Sequence, residues 1–309
     1  MDRRSFLLGS AAVGTALSAV PAVADIPKKY QDGVSPWPLC LNTSTIRPTS
    51  LKDKVRLAGE TGYDALELWM NDIEDYEASG GDLAALGREI RDRGMFVIDV
   101  IGLWDCMPEP IEAFQASLEK TKHRMRLAAT VGSRHVAVLP LPDRVPFDLA
   151  YATDRYRDLL EIGLNEFNIQ PAFEFVSIFK GVRRLGQAAH AALDANHPKA
   201  MIIPDTFHLH NGGSGFDGIR HLRADFIASF HWNDVPADPP PGNMADGDRI
   251  HPGDGILPLV PLMKDLLHIG YTGPISLEMF NKEHWASDPK VVLETGLRKM
   301  REQAVAAQA

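Results

Sequence analysis

From Pro38 onward, short runs rich in β-branched, aromatic and leucine residues alternate with longer amphipathic runs. The short runs are PLCLNTS (38–44), YDALELW (63–69), MFVIDVI (95–101), RHVAVLPL (134–141), IQPAFEFV (169–176), AMIIPDTF (200–207), DFIASFHW (225–232) and GPISLEMF (273–280). Between them lie helix-like stretches such as LKDKVRLAGETG, LAALGREIRDRG, IEAFQASLEKTKHRMRLAATVG and YRDLLEIGLNEFN. Several end at Gly62, Gly94 and Gly132, where a helix C-terminus needs a left-handed residue. Strand then helix repeated eight times predicts an α/β fold, a single (β/α)8 TIM barrel over residues 38–309. A doubly wound open sheet is the alternative, but no GxGxxG fingerprint follows the first strand.

One connection breaks the rhythm. VPADPPPGNMADGDRIHPGDG separates the seventh strand from the helix near Pro258, about twenty residues where such loops usually have about two to six. It leaves the face where barrel enzymes carry their chemistry, and its second half, GDRIHPGDG, is expected to lie over the barrel mouth.

The first residues, MDRRSFLLGSAAVGTALSAVPAVAD, do not fit the barrel pattern. Paired Arg3 and Arg4, an apolar stretch from Phe6 to Val20, and Ala22 and Ala24 before Asp25 have the layout of a cleaved export signal. The Arg-Arg pair before Ser5, Phe6 and Leu7 points to the twin-arginine route and a periplasmic destination. The expected division is therefore a signal at 1–24, a linker at 25–37 and the barrel at 38–309, with no membrane span left after cleavage.

Losing two Arg and one Asp with the signal moves the net charge from −9 to about −10. That acidity argues against a nucleic-acid partner, which needs clustered positive charge. The two cysteines, Cys40 and Cys106, are expected as small core residues. Self-association into a homo-oligomer stays open.

In the fifth, seventh and eighth strands an ionisable residue stands between bulky apolar ones. Glu174 lies between Phe173 and Phe175, His231 between Phe230 and Trp232, and Glu278 between Leu277 and Met279. The strand period of two then turns the ionisable residues into the barrel if their neighbours pack outward. Asp205 ends the sixth strand in the same way. Three carboxylates and an imidazole converging there would repel one another unless a divalent cation sat among them. Mn2+ is the first expectation, and Mg2+, Co2+ and Zn2+ suit the same donors. Asn42, Glu67 and Trp69, at the ends of the first two strands, are expected to contact substrate, with Trp104, His210, His251 and Trp285 as further candidates by position.

Taken in order, LCLNTSTI, GYDALELWMND, FEFVS, PDTFHLH, HWNDVP, GDRIHPGDG and SLEMF resemble the xylose isomerase-like barrel superfamily, most closely its inosose isomerase branch. The resemblance runs from about Leu39 to the last helix. It implies that Glu174, Asp205, His231 and Glu278 are the metal ligands and that His208 and Arg249 contact substrate, as in the related ketose 3-epimerases. Glu174 and Glu278 are expected to act also as the acid/base pair, moving a proton next to a carbonyl through a metal-stabilised enediolate. The reaction implied is isomerisation or epimerisation of a keto-sugar or keto-cyclitol. Two alternatives are a lyase or dehydratase acting on 3-keto-glycosides and a non-catalytic sugar-binding barrel. Lys180 stands where ketose 3-epimerases tend to carry a second glutamate, which argues against a free-ketohexose epimerase.

Overall fold

The structure is a computed structural model that describes residues 30–140 and 145–309. The stretch 1–24, expected from the sequence to be an export signal, lies outside the described residues. Eight strands, all parallel to their neighbours, form one sheet: β1 Leu39–Asn42, β2 Ala65–Trp69, β3 Phe96–Leu103, β4 His135–Val138, β5 Gln170–Glu174, β6 Ile202–Ile203, β7 Phe230–Trp232 and β8 Ile275–Leu277. The spatial order is β6-β5-β4-β3-β2-β1-β8-β7. β6 and β7 meet through two parallel bridges, Ile202 to Ile227 and Asp205 to His231, which nearly close the barrel.

The sixth strand is shorter than its apolar run predicts. Pro204 has no N–H to donate, so the ladder stops at Ile203 while the Pro204 carbonyl still accepts from His231 N at 2.9 Å. Asp205 then caps a short helix, α7 (Thr206–Asn211), by accepting from His208 N at 3.0 Å. One residue thus ends a strand, starts a helix and faces the barrel seam.

Helices cover the outside in the expected alternation. Counting in chain order, the longer ones are α1 (Leu51–Thr61), α3 (Leu83–Asp92), α4 (Ile111–Thr130), α5 (Leu149–Ile162), α6 (Leu185–Asp194), α8 (Leu259–His268) and α10 (Pro289–Gln308). α2 (Met70–Ala78) follows β2 directly, and α9 (Lys282–Ala286) follows β8. In α3 the buried residues are Leu83, Leu86, Gly87 and Ile90, the spacing that puts one stripe against a sheet. α1 stops at Gly62, whose φ of 96° only glycine adopts without strain. Outward packing of the strand neighbours is explicit at β7, where the Trp232 indole donates to Gln303 of α10 at 2.8 Å. Phe230 and Trp232 therefore face the helices and His231 faces in.

Residues 30–37, assigned to a linker from the sequence, pack onto the barrel instead. The Gln31 amide donates to Gly62 O and to Asp64, and the buried Trp37 donates to Tyr271 O at 2.9 Å. Cys40 and Cys106 are buried free thiols. Among the described residues no helix is long and apolar enough to cross a membrane.

The long loop after β7 is organised by one buried carboxylate. Asp234 Oδ1 accepts from Val235 N and Leu257 N, both at 2.9 Å, and Oδ2 accepts from Gly253 N at 3.0 Å and Gly255 N at 3.1 Å. Gly255 is required there, because a Cβ would run into Val235 O and the Asp234 carboxylate. Removing the acceptor strands several backbone donors together. Asp234→Ala is expected to cost about 2–4 kcal/mol of stability in urea denaturation and to speed proteolysis between residues 236 and 258. An unchanged midpoint and cleavage rate would show that the loop is held by something else.

Candidate metal centre and active site

At the C-terminal ends of the strands, His231 is the centre of a carboxylate cage. Its Nε2 donates to Glu67 Oε1 at 3.0 Å. Glu67 is held in turn by Asn42 Nδ2 at 2.8 Å and Ser276 Oγ at 2.7 Å, both on Oε2. With the ring proton committed to Glu67, the Nδ1 lone pair faces Glu278 Oε2 at 3.1 Å, Glu174 Oε1 at 3.3 Å and Asp205 Oδ2 at 3.5 Å. All four groups are buried.

Such an arrangement demands positive charge. Burial alone would depress the His231 pKa, but Glu278, Glu67 and Glu174 outweigh it and hold the ring well above its ordinary value, so that without a cation a second proton takes the Nδ1 lone pair. Burial pushes Glu278 up to about 7, opposed by His231 and Arg249. Glu174 is also raised by burial, whereas Arg249 and then His208 overcome burial at Asp205 and hold it well below the usual carboxylate range.

The residues fit a divalent cation. Glu174, Asp205, His231 and Glu278 each offer one ligand atom, and these atoms lie within 4.8 Å of one another. His231 Nδ1 is buried without a hydrogen-bond partner, as an unused ligand atom would be, and the Glu174 oxygen that faces it is Oε1. Three oxygens and one imidazole nitrogen suit Mn2+, Mg2+, Co2+ or Zn2+. The Glu67 contact at the far ring nitrogen is the usual support for a metal-binding histidine.

Two donors stand beside the cage. Arg249 Nη1 bridges Asp205 Oδ2 at 2.6 Å and Glu278 Oε2 at 2.7 Å, and its Nη2 reaches Asp246 Oδ1 at 3.0 Å. Nη2 also lies 3.2 Å from His208 Nε2. The state of His208 follows from a chain of fixed donors. Gly242 N donates to Asn211 Oδ1 at 2.7 Å, so Asn211 Nδ2 is the group 3.0 Å from Ser177 Oγ. Ser177 then turns its own proton to His208 Nδ1 at 2.9 Å, and its backbone N–H donates to the same nitrogen at 3.2 Å. Nδ1 must carry the lone pair, which leaves the proton on Nε2. Burial lowers the His208 pKa to about 4 against the pull of Asp205. Two N–H groups therefore meet with no acceptor between them, and an oxygen of a bound molecule is the group that can satisfy both.

These side chains open onto a cavity of about 600 Å3 lined by Glu174, Glu278, His208, Arg249, Trp69 and Trp104, among others. A cavity of about 640 Å3 between Val34, Thr61 and α10 contains none of them, so the chemistry selects the one at the barrel mouth. Asp246, Gly247 and Arg249 of the long loop, with Trp285 of α9, also line it.

Asn42 and Glu67, read from the sequence as substrate contacts, do not line this cavity. Both are fully buried, bonded to each other and to His231, Ser276, Glu278 or the Trp69 indole. Period two had put them inside the barrel without telling what they meet there. Ser177, Asn211 and Arg47 escaped the sequence reading. Ser177 sits at the end of the FEFVS run, but nothing local marks its bond to a histidine thirty-one positions away. Arg47 lies over the rings of Trp69, Phe280 and Trp285, with its Cζ 4.6, 5.5 and 5.8 Å from their centroids.

Comparison with known proteins agrees with this geometry. The family profile described as xylose isomerase-like TIM barrel matches residues 55–303. The chain belongs to that family. Within it, an inosose isomerase of Bacillus velezensis is 23% identical over 267 residues, covering 83% of this chain and 93% of the relative. A 3-dehydroshikimate dehydratase of Pseudomonas putida is 22% identical over 253 residues, 81% of this chain and 39% of that protein. Among solved structures, the IOLI protein with a bound zinc atom superposes with a TM-score of 0.79 at 22% identity, covering 86% and 97% of the two chains. A D-psicose 3-epimerase gives 0.70 at 16% identity, covering 87% and 99%. The relatives of this xylose isomerase-like barrel are thus isomerases and dehydratases.

Three outcomes are expected of the site. Protons on Glu278 and on His231 Nδ1 compete with a cation, so affinity for Mn2+ should rise with pH through about 7 and go on rising above it in titration calorimetry. Metal at a hundredfold excess over Kd should add about 2.7 kcal/mol of stability, which chelation removes; a pH-independent affinity would contradict the cage. In 15N NMR, His208 should remain the neutral Nε2–H tautomer down to about pH 5. Protonation near the ordinary value of about 6.5 would refute the donor chain.

Proposed function

We propose that this chain is a divalent-metal-dependent isomerase or epimerase of a keto-sugar or keto-cyclitol. The observation that carries this reading is the meeting of the His231 lone pair with three buried carboxylates on the floor of a cavity whose flanking groups are N–H donors. A bound divalent cation, with Mn2+ our first expectation, supplies the positive charge that makes a proton beside a carbonyl removable.

The protein's own groups divide the remaining work. Glu174 Oε2 is unpartnered and is the oxygen that takes the proton. Glu278 is held at both oxygens, Oε1 by Asn42 and Oε2 by Arg249, so it stands fixed across the site to return a proton on the other face. His208 Nε2–H and Arg249 converge on one substrate oxygen and stabilise charge developing there. Trp69 offers an aromatic wall to the substrate ring, with its indole pinned to Asn42 Oδ1 at 2.8 Å. Asn42 and Glu67 act as supports for the ligands they bond to, Glu278 and His231. The export layout of residues 1–24 favours a substrate met outside the cytoplasm.

A dehydratase or lyase outcome shares the first proton transfer, and kinship with 3-dehydroshikimate dehydratases favours it as the second reading. Product analysis separates the two, since loss of a β-substituent is elimination.

The test is a screen of inososes and 3-keto-sugars in D2O with metal-loaded protein. Deuterium should enter the carbon beside the carbonyl, and Glu174→Gln should lower kcat by roughly 10²–10⁴-fold while metal content is followed in parallel. Turnover without solvent exchange, through direct hydride transfer, would overturn the proposal.

A further inference from the structure

The active-site cavity has two unlike sides. The carboxylate cage, His208 and Arg249 form the polar floor. Opposite them the wall is built by Ile101 of β3 and by Trp104, Leu139, Val176, Ile178 and Phe179 from the segments that follow β3, β4 and β5. Ile101, Leu139 and Val176 belong to a buried apolar cluster distinct from the main core, with Trp104 and Phe179 packed on it. Ile178 at the rim is 45% exposed. Trp104 Nε1 apart, these side chains offer no hydrogen-bonding group.

This wall is hard to reconcile with a small polyhydroxylated ring alone. A ring seated on the polar floor would leave the apolar wall facing water. A second sugar against it would bury hydroxyls without partners, at a cost comparable to lost hydrogen bonds. An apolar ring loses nothing by leaving water and fills the space. We infer that the substrate is a keto-sugar or keto-cyclitol bearing an aromatic substituent, a keto-glycoside with an aryl aglycone, whose ring lies on the Trp104, Leu139 and Phe179 wall. This rests on the proposed function for the sugar end only; the wall is a property of the cavity itself.

Two measurements separate the claims. The first is calorimetric binding of unreactive phenyl β-glucoside and methyl β-glucoside to metal-loaded protein. Burial of on the order of 100 Å2 of ring at about 25 cal/mol per Å2 should make phenyl β-glucoside bind roughly tenfold or more tightly. Phe179→Ala and Leu139→Gln should each narrow that ratio, and circular dichroism checks that the variants fold. The second is deuterium exchange and KM for phenyl 3-keto-β-glucoside, methyl 3-keto-β-glucoside and 3-keto-cellobiose, where the phenyl compound should have the lowest KM. Equal binding of the phenyl and methyl glucosides, or preference for the cellobiose derivative, would overturn the inference. Tighter phenyl binding with no exchange on any substrate would sustain the aryl wall and refute the enolisation reading.

Discussion

Holding three carboxylates beside an imidazole lone pair inside a barrel is the constraint around which the molecule is arranged. At an effective dielectric of about 20, two like charges 4 Å apart repel by about 4 kcal/mol. Three such pairs rival the whole net stability of a domain, about 5–15 kcal/mol. The cage persists because its neighbours are locked. Glu67 fixes the His231 ring, Asn42 holds both Glu67 and Glu278, and Asp205 is tied to the first turn of α7. The barrel seam joins the same groups, since the bridge between Asp205 and His231 lies where β6 gives way to β7. Closing the sheet and assembling the cage are one event.

Much of this was legible in the sequence because it is carried by short-range pattern. Apolar neighbours around Glu174, His231 and Glu278 set their direction, and Trp232 bonded to Gln303 is the physical form of that alternation. Glycines at helix ends and the eight alternating runs defined the barrel. What escaped were properties that alternation does not encode. Period two separates inside from outside but does not say what an inward group meets, so Asn42 and Glu67 read as substrate contacts although they bond to Glu278 and His231. Pro204 shortens β6 by a missing donor, a local fact that the length of the apolar run concealed. Ser177, Asn211 and Gly242 fix a histidine tautomer through contacts between distant segments, and the apolar wall likewise gathers residues from one strand and three following segments.

The long loop is the element that links rigidity to chemistry. Asp234 clamps its end, and the stacked rings of His251 and His284, 4.4 Å between centroids, tie it to α9 beside the cavity. It delivers Arg249, a cation almost wholly buried, to Asp205 Oδ2 and Glu278 Oε2, two of the oxygens that surround the His231 lone pair. Guanidinium and metal ion would thus act on the same oxygens. Nη1 is spent on those two carboxylates, while Nη2 stands 3.2 Å from His208 Nε2 beside the cavity that both residues line. One buried guanidinium thus joins the carboxylate cage to the donor pair beside it, so the loop that carries Arg249 sets the position of both.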